Sequence, residues 1–243
     1  MKTFLYISKK FSTVGVTLVL ALTLSETAFA NTVNATYKGL TYSSDTKTVT
    51  IEDNLNMANG SKTLNTYAGS FNFVNNDTSK SFVAYCADVY QWLAPLNQSK
   101  PYSDSNSIAS TFNSTKAGDL QNLANKFYSL VDTATESAAF QIATWEILFQ
   151  NSGTYDLSVG DFKAWGGTAN SSGAITLAQS WLSNLNIASS TGNYNVNFLT
   201  SASHQDLIYM TPNAVPLPAA LPLMISGLGL LGFAARRRKS KLA

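Results

Sequence analysis

The C-terminal segment of the chain, from Val215 onward, limits what the rest of the sequence can be. It contains an apolar run over 217–235 and then a basic stop over 236–241 that begins with Arg236, Arg237, Arg238 and Lys239. Such a run is about long enough to cross a hydrocarbon core of roughly 30 Å. Its prolines and glycines weaken the helix, each glycine by roughly 1 kcal/mol relative to alanine. We expect a single marginal transmembrane helix, with the basic stop in the cytoplasm and everything upstream outside.

The turn before this run has the sequence Val215-Pro216-Leu217-Pro218-Ala219. The proline-rich turn, the short glycine-containing helix and the arginine cluster together resemble the PEP-CTERM sorting tail in its VPLPA form, over residues 213–243. The usual pattern has glutamate where this chain has Leu217. The resemblance implies that an exosortase recognises and cuts the tail while the inner membrane holds it transiently. The protein would then face the periplasm and later reach the cell surface or extracellular matrix of a Gram-negative bacterium. The alternative is an ordinary membrane anchor.

Residues 1–30 have the features of a secretory signal peptide. Lysines precede an apolar stretch over 14–24, and Ala28-Phe29-Ala30 has the small-x-small form of a cleavage site. The working part of the chain is therefore residues 31–212, a length that suits one domain. Between the signal and the basic stop the chain carries eight basic and thirteen acidic side chains, a net charge of −5. We therefore expect no nucleic-acid partner.

Hydrophobic periodicity divides the working part into strands and helices. Residues 31–92 contain several runs that alternate with a period of two, and they predict strands separated by Asn- and Gly-rich turns. Cys86 is predicted to lie near the end of one of these strands, after a hairpin turn. Residues 97–118 are polar and predict a loop. Residues 192–210 alternate again and predict closing strands.

Three amphipathic helices are predicted between these strand regions. The first has its apolar stripe over 120–130, and the second begins at a capping box formed by Thr133 and Glu136. The third has apolar residues at helical spacing from Ala174 to Leu185. Antiparallel strands, a central run of about three helices and closing strands indicate an α+β fold, followed by the single C-terminal transmembrane helix.

The chain contains one cysteine, Cys86, and one histidine, His204. Exported proteins usually carry paired cysteines, so a lone one indicates a free thiol, an intermolecular link or a reactive group. A small buried apolar residue is the plainer interpretation. One cysteine and one distant histidine do not make a metal-ligand cluster, and no nucleophile-elbow pattern accompanies His204. We expect no metal, no cofactor and no hydrolase activity.

Two segments resemble the signatures of bacterial Cys-Gln thioester domains. They are Tyr85-Cys86-Ala87 and the helical Phe140-Gln141-Ile142-Ala143-Thr144-Trp145-Glu146-Ile147. The resemblance implies that the Cys86 sulfur is acylated by the Gln141 side chain with loss of ammonia. Thr144 departs from the pattern, which usually has an aliphatic residue there.

A thioester needs its two groups held together and shielded from water. Oriented intramolecular groups reach effective molarities of about 10⁵ M or more, which a free thiol and a free amide do not. Gln141 and Trp145 are one helical turn apart on the same face, so Trp145 would cover the site. We expect Tyr85 and Trp92 to complete that cover. Asp88 and Glu146 lie beside the two motifs, and we expect both to be solvated.

These patterns predict an exported, exosortase-sorted protein that attaches covalently to a surface or matrix partner. The partner would supply an amine or a hydroxyl group, and the protein would act once rather than turn over as an enzyme. The alternative is a non-covalent structural or carbohydrate-binding component of an extracellular matrix, with Cys86 merely buried.

The predicted processing can be tested with an epitope placed after Lys241. Cleavage of the sorting tail removes the basic stop, so the epitope should be lost from the mature protein while a domain epitope persists. Immunoblots of membrane and exported fractions measure both. An epitope retained in fully exported protein would indicate an ordinary anchor.

Overall fold

A computed structural model describes residues 31–104, 112–151, 154–166, 171–186 and 193–213. The described strands are β1 (Asn31–Leu40), β2 (Lys47–Asp53), β3 (Thr63–Ala68), β4 (Phe71–Asn75), β5 (Lys80–Cys86), β6 (Ser99–Asp104), β7 (Phe162–Gly166), β8 (Tyr194–Thr200) and β9 (Leu207–Pro212). The described helices are α1 (Ser114–Phe127), α2 (Ala134–Phe149) and α3 (Ser172–Ser183). A short 3-10 turn, Tyr128–Leu130, follows α1.

Six of these strands close into an antiparallel barrel in the order β1-β4-β5-β9-β8-β6. Strand β5 lies between β4 and β9, so a hairpin partner and a strand from the far end of the described chain flank it. The other three strands form a separate antiparallel sheet in the order β3-β2-β7. Closure of the barrel brings residues near 86 and residues near 207 side by side.

Helix α2 is the central element of the core. It is buried along almost its whole length and contacts α1, α3, β5 and all three strands of the smaller sheet. The predicted capping box is present: Glu136 N–H donates to Thr133 Oγ1, and Thr133 N–H donates to a Glu136 carboxylate oxygen. This box satisfies two backbone donors that a helix start otherwise leaves unpaired.

The α+β class predicted from the sequence is confirmed, as are the capping box and the third helix. Two local predictions are wrong. Residues 97–118 were expected to form a loop, but they include β6 and the beginning of α1. The helical run was expected to be continuous, but β7 lies between α2 and α3 and pairs with β2. Both strands are paired with distant segments, so their weak local patterns are outweighed by tertiary contacts.

Among the described residues, no helix is long and apolar enough to cross a membrane. The predicted signal peptide, the sorting turn and the apolar run over 217–235 lie outside the described residues.

The capping box predicts a measurable contribution to stability. Thr133→Ala removes the side-chain oxygen that accepts the Glu136 N–H, and should lower the free energy of unfolding by about 1 kcal/mol. Urea denaturation followed by circular dichroism measures the change. Thr135→Ala makes the same chemical change inside the helix and should cost less. Equal losses in the two variants would contradict the role assigned to the box.

Candidate functional site

Cys86 is the last residue of β5, as the sequence predicted, and it pairs with Leu207 at the start of β9. Continuing this antiparallel register places residue 205 opposite residue 88. Side chains two residues apart on a strand share one face, and opposite residues on paired strands share it too. The register therefore puts Gln205 on the same face as Cys86, diagonally across the strand pair.

The carboxamide of Gln205 lies against the sulfur of Cys86. The thiol donates to Gln205 Oε1 at 2.6 Å, and Gln205 Nε2 donates to the backbone oxygen of Asp88 at 2.6 Å. The first distance is shorter than the roughly 2.9 Å usual for N–H···O bonds, although sulfur is larger than nitrogen. Both ends of the carboxamide are therefore fixed, with its oxygen beside the thiol and its nitrogen held by a backbone carbonyl.

Gln141, on α2, contacts the backbone of Cys86. Cys86 N–H donates to Gln141 Oε1 at 2.8 Å, and Gln141 Nε2 donates to Cys86 O at 2.9 Å. Ala87 N–H donates to Asp206 O on the β9 side. The backbone N–H and C=O groups of successive strand residues point to opposite sides, so those of Cys86 point away from β9. On that side β4 does not extend as far as Cys86, because its first residue, Phe71, pairs with Ala84. The Gln141 amide takes the place of the missing strand.

The structure thus separates the roles of two glutamines. The sequence predicted Gln141 as the acylating group, but both ends of its amide are bonded to the Cys86 backbone, and Gln205 is the glutamine at the sulfur. The candidate acyl group is therefore Gln205 rather than Gln141. The sequence carried no local signal for Gln205, because its position beside Cys86 depends on the β5–β9 register.

The groups around the sulfur are buried and acidic. Burial raises the pKa of the Cys86 thiol well above its usual value, and the Asp88 carboxylate adds to that increase. Burial also raises the pKa of Asp88, against the lowering effect of its backbone N–H donors. Burial, together with Asp88, raises the pKa of Asp206 to about 6. The resting form of Cys86 at neutral pH is therefore the thiol.

A cavity of about 130 Å³ opens beside the sulfur, and its wall includes Cys86, Gln205, Trp92 and Trp145. Trp145 is buried, and its indole N–H has no partner within the described part of the chain. Trp92 is 63% exposed and lies at the outer end of the site. Two of the three predicted cover residues therefore line the cavity.

The third predicted cover residue, Tyr85, does not line this cavity. Its ring packs against Phe140, with ring centroids 4.8 Å apart, and against Tyr128. Successive side chains of a strand point to opposite faces, so Tyr85 and Cys86 cannot serve the same pocket.

Asp88 and Glu146 were expected to be solvated, and both are buried. Asp88 is 8% exposed and hydrogen-bonded to the segment that carries Gln205. Glu146 accepts the Asp156 N–H at 2.9 Å, and burial raises the pKa of its carboxyl to about 8. His204 directly precedes Gln205 in the chain, and its Nδ1 lies 2.8 Å from Ser203 Oγ.

The two glutamines should differ in their effect on stability. In a Cys86→Ala background, Gln141→Ala leaves the N–H and C=O of residue 86 unpaired and should cost about 2–5 kcal/mol. Gln205→Ala in the same background removes a half-buried side chain and should cost less than about 1.5 kcal/mol. Urea denaturation of the two double variants and their parent measures both changes. Equal losses would contradict the structural role of Gln141.

Comparison with known proteins gives a sorting motif and a distant likeness of fold. A family model described as the PEP-CTERM protein-sorting motif matches residues 214–239, where the sequence predicted the tail. The motif marks an exported protein that is sorted at the membrane of a Gram-negative cell. No curated protein matches the chain.

Three solved structures are similar to the described fold. The N-terminal domain of the Streptococcus pyogenes pilus tip adhesin Cpa is 16% identical, with a TM-score of 0.41 over 60% of this chain and 85% of that one. An N-terminal thioester domain of a surface protein from Clostridium perfringens is 14% identical, with a TM-score of 0.41 over 74% and 98%. A cysteine-to-alanine mutant of such a domain, also from Clostridium perfringens, is 15% identical, with a TM-score of 0.42 over 59% and 88%. The chain thus carries a PEP-CTERM sorting motif and is similar in structure to N-terminal thioester domains of surface adhesins.

Proposed function

We propose that this exported protein attaches covalently to a partner through an internal thioester between Cys86 Sγ and the side-chain carbonyl carbon of Gln205. The observation that carries the proposal is the 2.6 Å contact between Sγ and Gln205 Oε1. A sulfur and an oxygen bonded to the same carbonyl carbon are separated by a similarly short distance. The contact therefore supports a site in which little movement separates the thiol and amide from the thioester.

The chemistry balances without any further reactant. The Cys86 sulfur attacks the Gln205 carbonyl carbon, the carbon–nitrogen bond breaks, and the thiol proton leaves on the departing nitrogen as ammonia. An amine from the partner later attacks the same carbon, which forms an amide to residue 205 and returns the thiol. A hydroxyl group would give an ester in the same way. Each molecule reacts once, so the protein is not a turnover enzyme.

Proximity is the main source of rate in this proposal. The raised pKa of Cys86 keeps the thiolate fraction low, so the site does not gain from an activated thiolate. Groups held in a near-attack geometry reach effective molarities of about 10⁵ M or more. The hydrogen bonds at both the oxygen and the nitrogen of the Gln205 amide hold it beside the thiol, which supports such a geometry.

Burial protects the product from hydrolysis until a partner arrives. Cys86 is 3% exposed, and Trp145 forms part of the inner wall of the cavity beside it. The cavity of about 130 Å³ has room for a few water molecules or a small amine. The exposed Trp92 at its outer end offers an aromatic surface next to the reactive bond, and such residues are enriched at interfaces.

A second candidate function is non-covalent attachment within an extracellular matrix, including binding to carbohydrate. The observation that favours it is the exposure of two tryptophans, Trp92 at 63% and Trp165 at 41%. In that case Cys86 is a buried thiol, and Gln205 only fills a hydrogen-bonding position.

The thioester is tested by intact mass of freshly exported protein at neutral pH. The protein should lack a titratable thiol and should be lighter than its sequence by one ammonia. Methylamine should restore a titratable thiol and leave an N-methylamide at residue 205, which peptide mapping distinguishes from residue 141. Cys86→Ala and Gln205→Ala should each abolish methylamine uptake, because neither remaining residue forms the bond alone.

Gln179→Ala serves as the matched control. This glutamine lies on α3 and bonds the backbone N–H of Leu157 and the backbone oxygen of Tyr155, so its loss should leave methylamine uptake unchanged. Gln205→Glu should behave like the alanine variant, since a carboxylate is not acylating without activation. A fully titratable Cys86 with unmodified mass and no methylamine adduct would overturn the covalent proposal in favour of the second candidate. An adduct mapped to residue 141 would instead support Gln141 as the acyl group, as the sequence predicted.

A further inference from the structure

We propose that Asp88 is the positioning residue of this site, and that its carboxylate holds the Gln205 segment against Cys86 while the thioester forms. This inference rests on the proposed function, because it assigns a role within the same reaction. It is carried by hydrogen bonds that the Asp88 carboxylate accepts from two separate segments, the turn after β5 and the residues that lead into β9.

The carboxylate of Asp88 accepts three backbone N–H groups. Oδ1 accepts from Tyr90 at 2.9 Å and from Gln91 at 3.0 Å, which folds the turn after β5. Oδ2 accepts from Asp206 at 2.6 Å, which ties that turn to the residue directly after Gln205. One side chain therefore sets the position of residue 205 relative to residue 86.

The backbone of Asp88 adds a fourth contact, to the reacting group itself. Its carbonyl oxygen accepts from Gln205 Nε2, the nitrogen that leaves as ammonia. Gln205 N–H donates to Trp92 O at 3.0 Å, and Ala87 N–H donates to Asp206 O at 2.8 Å. The carboxylate fixes the turn that carries this carbonyl, so its loss affects both the backbone and the side chain of Gln205.

An ionised carboxylate suits this position better than a neutral side chain. It has only acceptor sites, whereas the NH₂ group of asparagine would face a backbone N–H donor. Asp88 is 8% exposed, so donors that lose this partner are not readily satisfied by water. Hydrogen bonds from backbone N–H groups to a carboxylate are charge-assisted and stronger than bonds between neutral groups.

The role is confined to one step of the reaction. Before the thioester exists, the geometry of Gln205 depends on hydrogen bonds, and a misplacement of about 1 Å can cost roughly 100-fold in rate. After the carbon–sulfur bond has formed, that bond itself holds residue 205 at residue 86. Loss of Asp88 should therefore slow formation of the thioester far more than its opening by an amine.

The test compares formation with opening in the full-length exported protein. Ammonia, supplied from an ammonium salt, opens the thioester to the thiol and regenerates the Gln205 amide. After the salt is removed, intact mass follows the return of the thioester. Opening is measured separately, as the rate constant for methylamine uptake. In Asp88→Asn, re-formation should slow by roughly 100-fold, while the methylamine rate constant should change by less than about 3-fold.

Asp156→Asn is the matched control, because it alters an aspartate that accepts from Ser158 in a turn with no contact to Gln205 or Cys86 among the described residues. It should leave both rates unchanged. Re-formation at the wild-type rate in Asp88→Asn would overturn the proposal. So would an equal slowing of formation and opening, which indicates general destabilisation. A wild-type protein that never takes up methylamine would instead refute the thioester itself.

A second pair of variants isolates one hydrogen bond in case Asp88→Asn does not fold. Asp206→Ala keeps the backbone N–H that donates to Asp88 Oδ2, whereas Asp206→Pro removes it. Re-formation should be at least about 10-fold slower in the proline variant than in the alanine variant, with similar methylamine rate constants. Equal re-formation rates would show that the Asp88–Asp206 bond does not position Gln205.

Discussion

The site depends on a pairing between the Gln141 amide and the backbone of Cys86. Strand β4 ends before it reaches Cys86, so one edge of β5 would otherwise bury an unpaired donor and an unpaired acceptor. Gln141 satisfies both from α2, at 2.8 Å and 2.9 Å. Because an unpaired buried group costs about 1–3 kcal/mol, this contact fixes α2 to the barrel at Cys86. The same helix turn then places Trp145 beside the sulfur.

The electrostatics favour a protonated, shielded thiol over a reactive thiolate. Cysteines that act as nucleophiles usually lie in partly exposed sites near cations, which lower the thiol pKa. Cys86 instead lies near Asp88, and both burial and that charge raise the thiol pKa. Such a thiol is a poor general nucleophile but is protected from oxidants and alkylating agents. The arrangement suits a single intramolecular reaction with a neighbour that is already in place.

Local sequence patterns predicted the parts of this site that depend on local structure. Cys86 at a strand end, the Thr133–Glu136 box and the burial of Trp145 follow from periodicity and capping rules. Gln205 and Asp88 could not be assigned in this way, because their meeting depends on the register between β5 and β9. That register is set by barrel closure, which joins residues 119 positions apart in the case of Cys86 and Gln205. Gln141 does lie against Cys86, but its contact with backbone rather than sulfur follows from where β4 ends.

The proposed thioester joins segments that lie far apart in the chain. The separation between Cys86 and Gln141 is 55 residues, and that between Cys86 and Gln205 is 119. Strand β9 begins two residues after Gln205, at Leu207, and ends at Pro212, two residues before the sorting motif begins. The Gln205 side chain therefore reaches the sulfur through the pairing of β5 with β9. An unfolded chain in transit carries an ordinary thiol and an ordinary amide, which do not react at a useful rate. The proposed thioester is thus restricted to the folded protein.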